Sequence, residues 1–400
     1  MVCVALSLGA MLASPGASAY LADTTIPEAG GCPALDRQNI SLAQPLNRRW
    51  STALPSTTPA AMLTVAASGS AAQLTEIEQA IDDSFGAWSG VTGTTFNAVN
   101  YPGVIVPITR VTSASACTND QESNIDGLNT ICFDQSSTGF TTGVLAFTRV
   151  ITANAAGVSV GSSAPAAFAG QILDADTLFR SDGQATFATP GALATPQGAG
   201  AYDLESLLIH ELGEWFGLDQ SAVWSAVMFP FPAPPGQFLG SRPTVSAPDA
   251  PLSDDDRAGI RYLYPDPSDT VNVGSIRGQV LPANRFKLAN LPAALAASGS
   301  FVTGIFGAHV VAVDTASGAV IASAVSGWSC NEATGAVQFD GSFDIERLPV
   351  GRSYTVYAEP LIGAVAPSDF SEALGDLCSS GACTTPAVDT DFNPRVLPSQ

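Results

Sequence analysis

Hydrophobic and polar positions recur along this chain with two periods, and the switches between them mark its organisation. Over residues 203–220 the period is helical. Leu204, Leu208, Ile209, Leu212, Trp215 and Phe216 share one broad apolar face. Asp203, Ser206, His210, Gly213, Glu214 and Gly217 fall on the opposite side, with Glu211 at its edge. Asp203 can cap the N-terminus, Glu205 sits in the first turn, and Gly217 can end the helix in a left-handed turn. His210 and Glu214, four apart, meet one turn from each other. One face builds a core and the other presents a histidine and two carboxylates, a layout that suits a metal site. A second helical pattern runs from Gln73 to Val91, with Leu74, Ile77, Ile81, Phe85 and Trp88 as its core positions. A third covers residues 252–264, where Ser253 caps and Asp256 can complete a capping box.

Strand-like runs fill the intervals. Arg49 and Trp50 with residues 61–65 suggest a first strand, and 104–111, 130–133, 143–150 and 171–179 suggest others. After a Pro- and Asp-rich stretch at 265–270 the helical period disappears. Residues 273–280, 308–314, 319–322, 341–345 and 353–357 read as strands, with a hairpin turn at 315–318. The expected class is α+β. An irregular arm at 20–48 precedes a domain at 49–265, a twisted mixed sheet with three helices. A linker at 266–272 leads to a small all-β sandwich at 273–366, and a loop-rich tail closes the chain at 367–400.

Charge narrows the partners. Acids outnumber bases 36 to 15, Lys287 is the only lysine, and the net charge is −21. Neither nucleic acid nor an anionic membrane suits such a chain. Residues 2–13 form an apolar run, and Ala17-Ser18-Ala19 follows as a small-x-small signal. This stretch, 1–19, reads as a secretory signal peptide cut after Ala19, which implies an extracellular protein. No later stretch is long and apolar enough to span a bilayer. Apart from Cys3 there are six cysteines, an even count that suits disulfides. Cys117–Cys132 and Cys378–Cys383 would close short loops, leaving Cys32–Cys330 to join the arm to the last unit.

The segment His210-Glu211-Leu212-Gly213-Glu214-Trp215-Phe216-Gly217-Leu218-Asp219-Gln220 resembles the metzincin zinc-peptidase motif H-E-x-x-H-x-x-G-x-x-H. Met228, within Ser225-Ala226-Val227-Met228-Phe229-Pro230, looks like the Met-turn of the matrixin branch at the matrixin spacing. The Ala-Trp-Ser-Gly-Val ending of the first helix and the 252–264 helix are similar to matrixin helices. Residues 171–179 resemble the strand that edges the matrixin cleft, and the resemblance spans roughly 49–265. Residues 273–366 look like a carboxypeptidase-regulatory-like, transthyretin-like β-sandwich, usually an accessory module.

The resemblance implies a secreted zinc metalloendopeptidase that cleaves extracellular proteins. Three imidazoles hold the zinc in that family and a glutamate activates the metal-bound water. Here the metal positions are His210, Glu214 and Gln220, the general base is Glu211, and Met228 and Gly217 are structural beneath the site. Asp219 is an off-by-one substitute for the third ligand. With only two histidines in the chain, no three-histidine site forms within it, and an amide oxygen is a poor zinc ligand. Weak or absent hydrolysis follows from these residues. The alternatives are a pseudopeptidase that binds peptide or protein in the retained cleft, and a structural surface protein that kept the fold. Asp174 and Asp176, with Asp120, Glu122 and Asp126, are candidate ligands for a structural calcium or else solvated acids. His309, in a strand, reads as a structural histidine.

Overall fold

The computed structural model describes residues 3–6, 22–25, 31–38, 48–51, 71–95, 109–111, 129–134, 140, 142–157, 167–180, 184–194, 198, 200–238, 251–269, 271–282, 303–331, 333–361 and 395–396. Its helices and strands together make an α+β protein. In chain order the main elements are β1 (Arg48–Ser51), α1 (Ala71–Ser89), β2 (Thr109–Val111), β3 (Asn129–Asp134), β4 (Ala146–Thr152), β5 (Ile172–Arg180), α2 (Leu204–Trp215) and α3 (Asp254–Leu263). Five strands then follow: β6 (Val273–Leu281), β7 (Ala308–Asp314), β8 (Val320–Val325), β9 (Ser342–Pro349) and β10 (Tyr354–Pro360).

The first five strands form one mixed sheet in the order β2-β1-β3-β5-β4. Neighbours run parallel except β4, which is antiparallel to β5 and outermost. This corrects one expectation. The cleft edge is β4, and the 171–179 stretch, as β5, lies one strand further in. The reason is burial: β5 has neighbours on both sides, and all but one of its residues are buried, whereas every residue of β4 is only partly buried.

Helix α1 packs on α2 through Ile77, Ile81, Phe85 and Trp88, all buried as their spacing predicts. Phe85 meets Trp215 edge-on with ring centroids 5.6 Å apart, and the Trp88 indole N–H donates to the Ile209 carbonyl at 2.8 Å. Burying each of these aromatic side chains contributes roughly 1.5–3 kcal/mol. The strand expectations at 61–65 and 104–108 lie outside the described residues.

In the second part, Cys3–Leu6, β6 and β9 form an antiparallel sheet, and β8, β7, β10 and Arg395–Val396 form another. Val280, Val310, Ala312, Ile321, Phe343, Ile345 and Val356 are buried, and β8 touches β9 where the two sheets meet. The 315–318 turn closes the β7–β8 hairpin, with Gly318 at φ +72°. His309 is buried, its Nδ1 3.2 Å from Glu359 Oε1. Helix α3 packs on β8 and β9, so the two parts share one hydrophobic cluster.

The arm ties both parts together. The Asp23 N–H donates to the Gly217 carbonyl, the Gln38 amide donates to the Trp215 carbonyl, and Arg37 bridges to Gln171. Cys32 and Cys330 form the expected disulfide across 298 residues. Cys117, Cys378 and Cys383 lie outside the described residues. Cys3–Leu6 falls within the stretch expected to leave as a leader, and here it pairs along the edge of β6.

Candidate active site

Helix α2 carries the site, and its ends are fixed as the sequence predicts. The Asp203 carboxylate accepts from the Ser206 N–H. At the other end Gly217 has φ +91°; its N–H donates to the Glu214 carbonyl and the Leu218 N–H to the Gly213 carbonyl. Gly217 is needed there twice over, because a Cβ would also stand 2.0 Å from the Asp36 carbonyl oxygen of the arm. The helix is covered on nearly all sides, and only His210 and Glu214 within it are partly exposed. The polar face is therefore narrower than its periodicity suggests. Gly213 belongs to the packed side: a Cβ there would meet Met228 Sδ at 2.2 Å and the Trp88 ring at 3.0 Å.

Beneath His210 lies the turn that carries Met228, which is buried. Asp256, which completes the expected capping box on α3, also accepts from the Val227 and Met228 N–H groups at 2.8 and 3.1 Å. Its neighbour Asp255 accepts from the Ser221 hydroxyl at 2.6 Å and from the Ser323 N–H of β8 at 2.7 Å. Burial pushes the Asp255 carboxyl up to about 7, against the Ser221 hydrogen bond that lowers it. Burial raises Asp256 as well.

His210, Glu211, Glu214 and Gln220 come together as their spacing implies. They line a cavity of about 540 Å³ between β4 and the Phe229–Pro232 segment. His210 Nδ1 is 2.8 Å from the Val227 carbonyl and donates to it, so Nε2 is left as the acceptor. Burial holds the imidazole below its ordinary pKa, and the hydrogen bond to Val227 opposes this in part. Glu214 Oε1 lies 3.7 Å from His210 Nε2. The Gln220 amide nitrogen stands at both, 2.8 Å from Glu214 Oε1 and 3.4 Å from His210 Nε2. An amide nitrogen carries two hydrogens and both neighbours are acceptors, so this orientation gives each acceptor a hydrogen. The reverse would set oxygen against two lone pairs.

Glu211 is 4 % exposed, and its carboxylate accepts from the Thr148 hydroxyl at 2.7 Å. Burial pushes its carboxyl up to about 7, while hydrogen bonds to Thr148 and Glu214 pull it back. Asp219 also lines the cavity, and its carboxylate accepts from the backbone N–H of Gln220.

A zinc ion needs lone pairs converging from imidazole, thiolate or carboxylate. Here the His210 and Glu214 lone pairs already accept hydrogens from an amide, and the third position contributes a donor. The residues present do not fit zinc without breaking both hydrogen bonds and turning the amide. Among the described residues no three His, Cys, Asp or Glu side chains are grouped to hold a metal. Asp174 and Asp176 are buried in β5, and the other three calcium candidates lie outside the described residues.

Four further contributors had escaped the sequence reading. Thr148 holds Glu211, Asp255 reaches the second part, Asp23 of the arm lines the cavity, and Phe231 forms its wall. The run of three aspartates at 254–256 was the only local signal for any of them. A family model described as Matrixin matches residues 60–265, more than half of the chain. A search of curated proteins found nothing that matches.

Proposed function

The chain belongs to the matrixin family, and from that premise we propose that it is a metallopeptidase-like protein whose cleft binds an extended peptide without cutting it. The observation that carries this reading is the Gln220 amide nitrogen between His210 Nε2 and Glu214 Oε1. It occupies the lone pairs that hydrolysis in this family relies on. What remains suits binding. Strand β4 is the outermost strand of its sheet and runs beside the cavity, so an extended segment can add to its edge. Peptide and protein ligands are those the family implies.

The same reading takes residues 1–19 as a leader cut after Ala19, which would release Cys3–Leu6 from the edge of β6 and export the protein. It takes residues 273–366 as an accessory transthyretin-like sandwich. None of the described helices is long and apolar enough to cross a membrane.

Glu211 favours a second reading, residual hydrolysis, because a carboxyl near 7 suits a general base. One experiment decides between the two. Wild type and Glu214→His/Gln220→His are purified, dialysed against a mild chelator and assayed for zinc content and for cleavage of an unstructured protein. Wild type is expected to hold well under one zinc per chain and to cut nothing. The double variant, with a third nitrogen following Gly217 at the family spacing, is expected to hold one zinc and to gain cleavage. Stoichiometric zinc and equal cleavage in wild type would overturn the binding reading.

A further inference from the structure

The charge around the cavity has a single sign. Asp23, Glu211, Glu214 and Asp219 line it, and no arginine or lysine is among the described residues that do. His210 donates from Nδ1 to the Val227 carbonyl and turns Nε2, an acceptor, toward Glu214 and Gln220. Gln220 Oε1 is buried and has no hydrogen-bond partner among the described residues, which adds an acceptor awaiting a donor.

Part of the cavity wall is aromatic, through Phe229 and Phe231. Phe229 lies 5.7 Å from Phe231 and 4.9 Å from Trp224 between ring centroids, a row running from the cavity to the surface. Its outer members are open: Trp224 is 77 % exposed and Phe231 41 %. Two large apolar rings thus stand in water, Phe231 lining the cavity and Trp224 beyond Phe229, a feature typical of contact sites.

Acceptors and aromatic faces in one cavity complement a planar cation rich in N–H donors. A guanidinium is such a group. It pairs with carboxylates through two parallel hydrogen bonds, stacks on rings, and sheds water more readily than an ammonium. The net charge of −21 adds a long-range attraction for basic segments. We propose that the cleft selects a peptide segment carrying an arginine, whose guanidinium enters between Glu214 and the Phe229–Phe231 wall. The proposal rests on the peptide-binding reading and names its ligand.

The test uses the purified full chain and fluorescein-labelled Gly-Ala-Ala-Leu-Arg-Leu-Ala-Ala-Gly, with the arginine also replaced by glutamine or glutamate. Affinities come from fluorescence polarisation. The arginine peptide is expected to bind about tenfold or more tightly than the glutamine peptide, as one charge-assisted hydrogen bond supplies. The glutamate peptide is expected to bind weakest. Glu214→Gln should remove most of the preference, whereas diffuse attraction by a net charge of −21 would scarcely notice the loss of one carboxylate. Equal affinities for the arginine and glutamine peptides would overturn the arginine proposal and leave peptide binding standing. A preference untouched by Glu214→Gln would overturn the placement at Glu214. Failure of all three peptides to bind a chain with an intact circular dichroism spectrum would overturn both readings.

Discussion

Helix α2 makes two kinds of contact, one beneath the site and one at its surface. Beneath, Gly213 seats Met228 and Trp88, Gly217 seats the arm, and the Met228 turn hangs from Asp256. These contacts are buried and close, and each residue answers to several neighbours at once. At the surface, Glu214 and Gln220 face a cavity, hydrogen-bond to each other, and stand beside His210. The family pattern is kept in the first set and departs from three histidines in the second. Packing ties a buried residue to its whole surroundings. A partly exposed polar residue can change its chemistry at little structural cost, so a fold can outlast the reaction it served.

The comparison breaks first at Gly217. Gly217→Ala places a Cβ against the Asp36 carbonyl and forces a left-handed backbone on alanine. It is expected to lower unfolding stability by about 2–4 kcal/mol, read from urea midpoints. A loss below about 1 kcal/mol would mean that the arm yields and the supporting layer is softer than described.

A second effect, of similar size, separates the layers by pH. Asp255 keeps its proton in the folded state up to about 7, whereas the unfolded chain releases it near 3.8. Between those values the folded state binds more protons. The contribution is therefore complete below about pH 3.8 and is lost as pH rises through about 7. Wild type should lose stability over that window relative to Asp255→Asn, measured as urea midpoints at steps from pH 4 to 8. A constant difference across the window would show that native Asp255 is already ionised.

The smallest effect is expected at the surface itself. Glu214→His/Gln220→His, which changes the chemistry most, should shift stability by less than about 1 kcal/mol. A loss above about 2 kcal/mol would show that the hydrogen-bonded amide is part of the support and erase the distinction between the layers.

Much of this could be read from local sequence. The α2 cap at Asp203, its stop at Gly217, the capping box of Ser253 and Asp256, and the core spacing of α1 are short-range consequences of backbone and side-chain geometry. The approach of His210 to Glu214 follows from the helical repeat. The hairpin at 315–318 follows from its turn residues, and the pairing of Cys32 with Cys330 is the one expected from the even cysteine count if the other four close short loops.

Tertiary structure alone decided the rest. Strand β4, and not β5, became the cleft edge, because strand order depends on which segments meet after the chain has looped back. Asp255 came to join Ser221 to Ser323, residues 102 positions apart in a chain whose local pattern relates neither to the other. The hydrogen-bond direction of Gln220 was decided in the same way. Its residue type says that it is a poor ligand; that its nitrogen faces inward follows from two acceptors held in place by α2 and by the Val227 carbonyl. Periodicity fixes which face a side chain takes. Which atom it turns toward its neighbours depends on partners brought together only when the chain has folded.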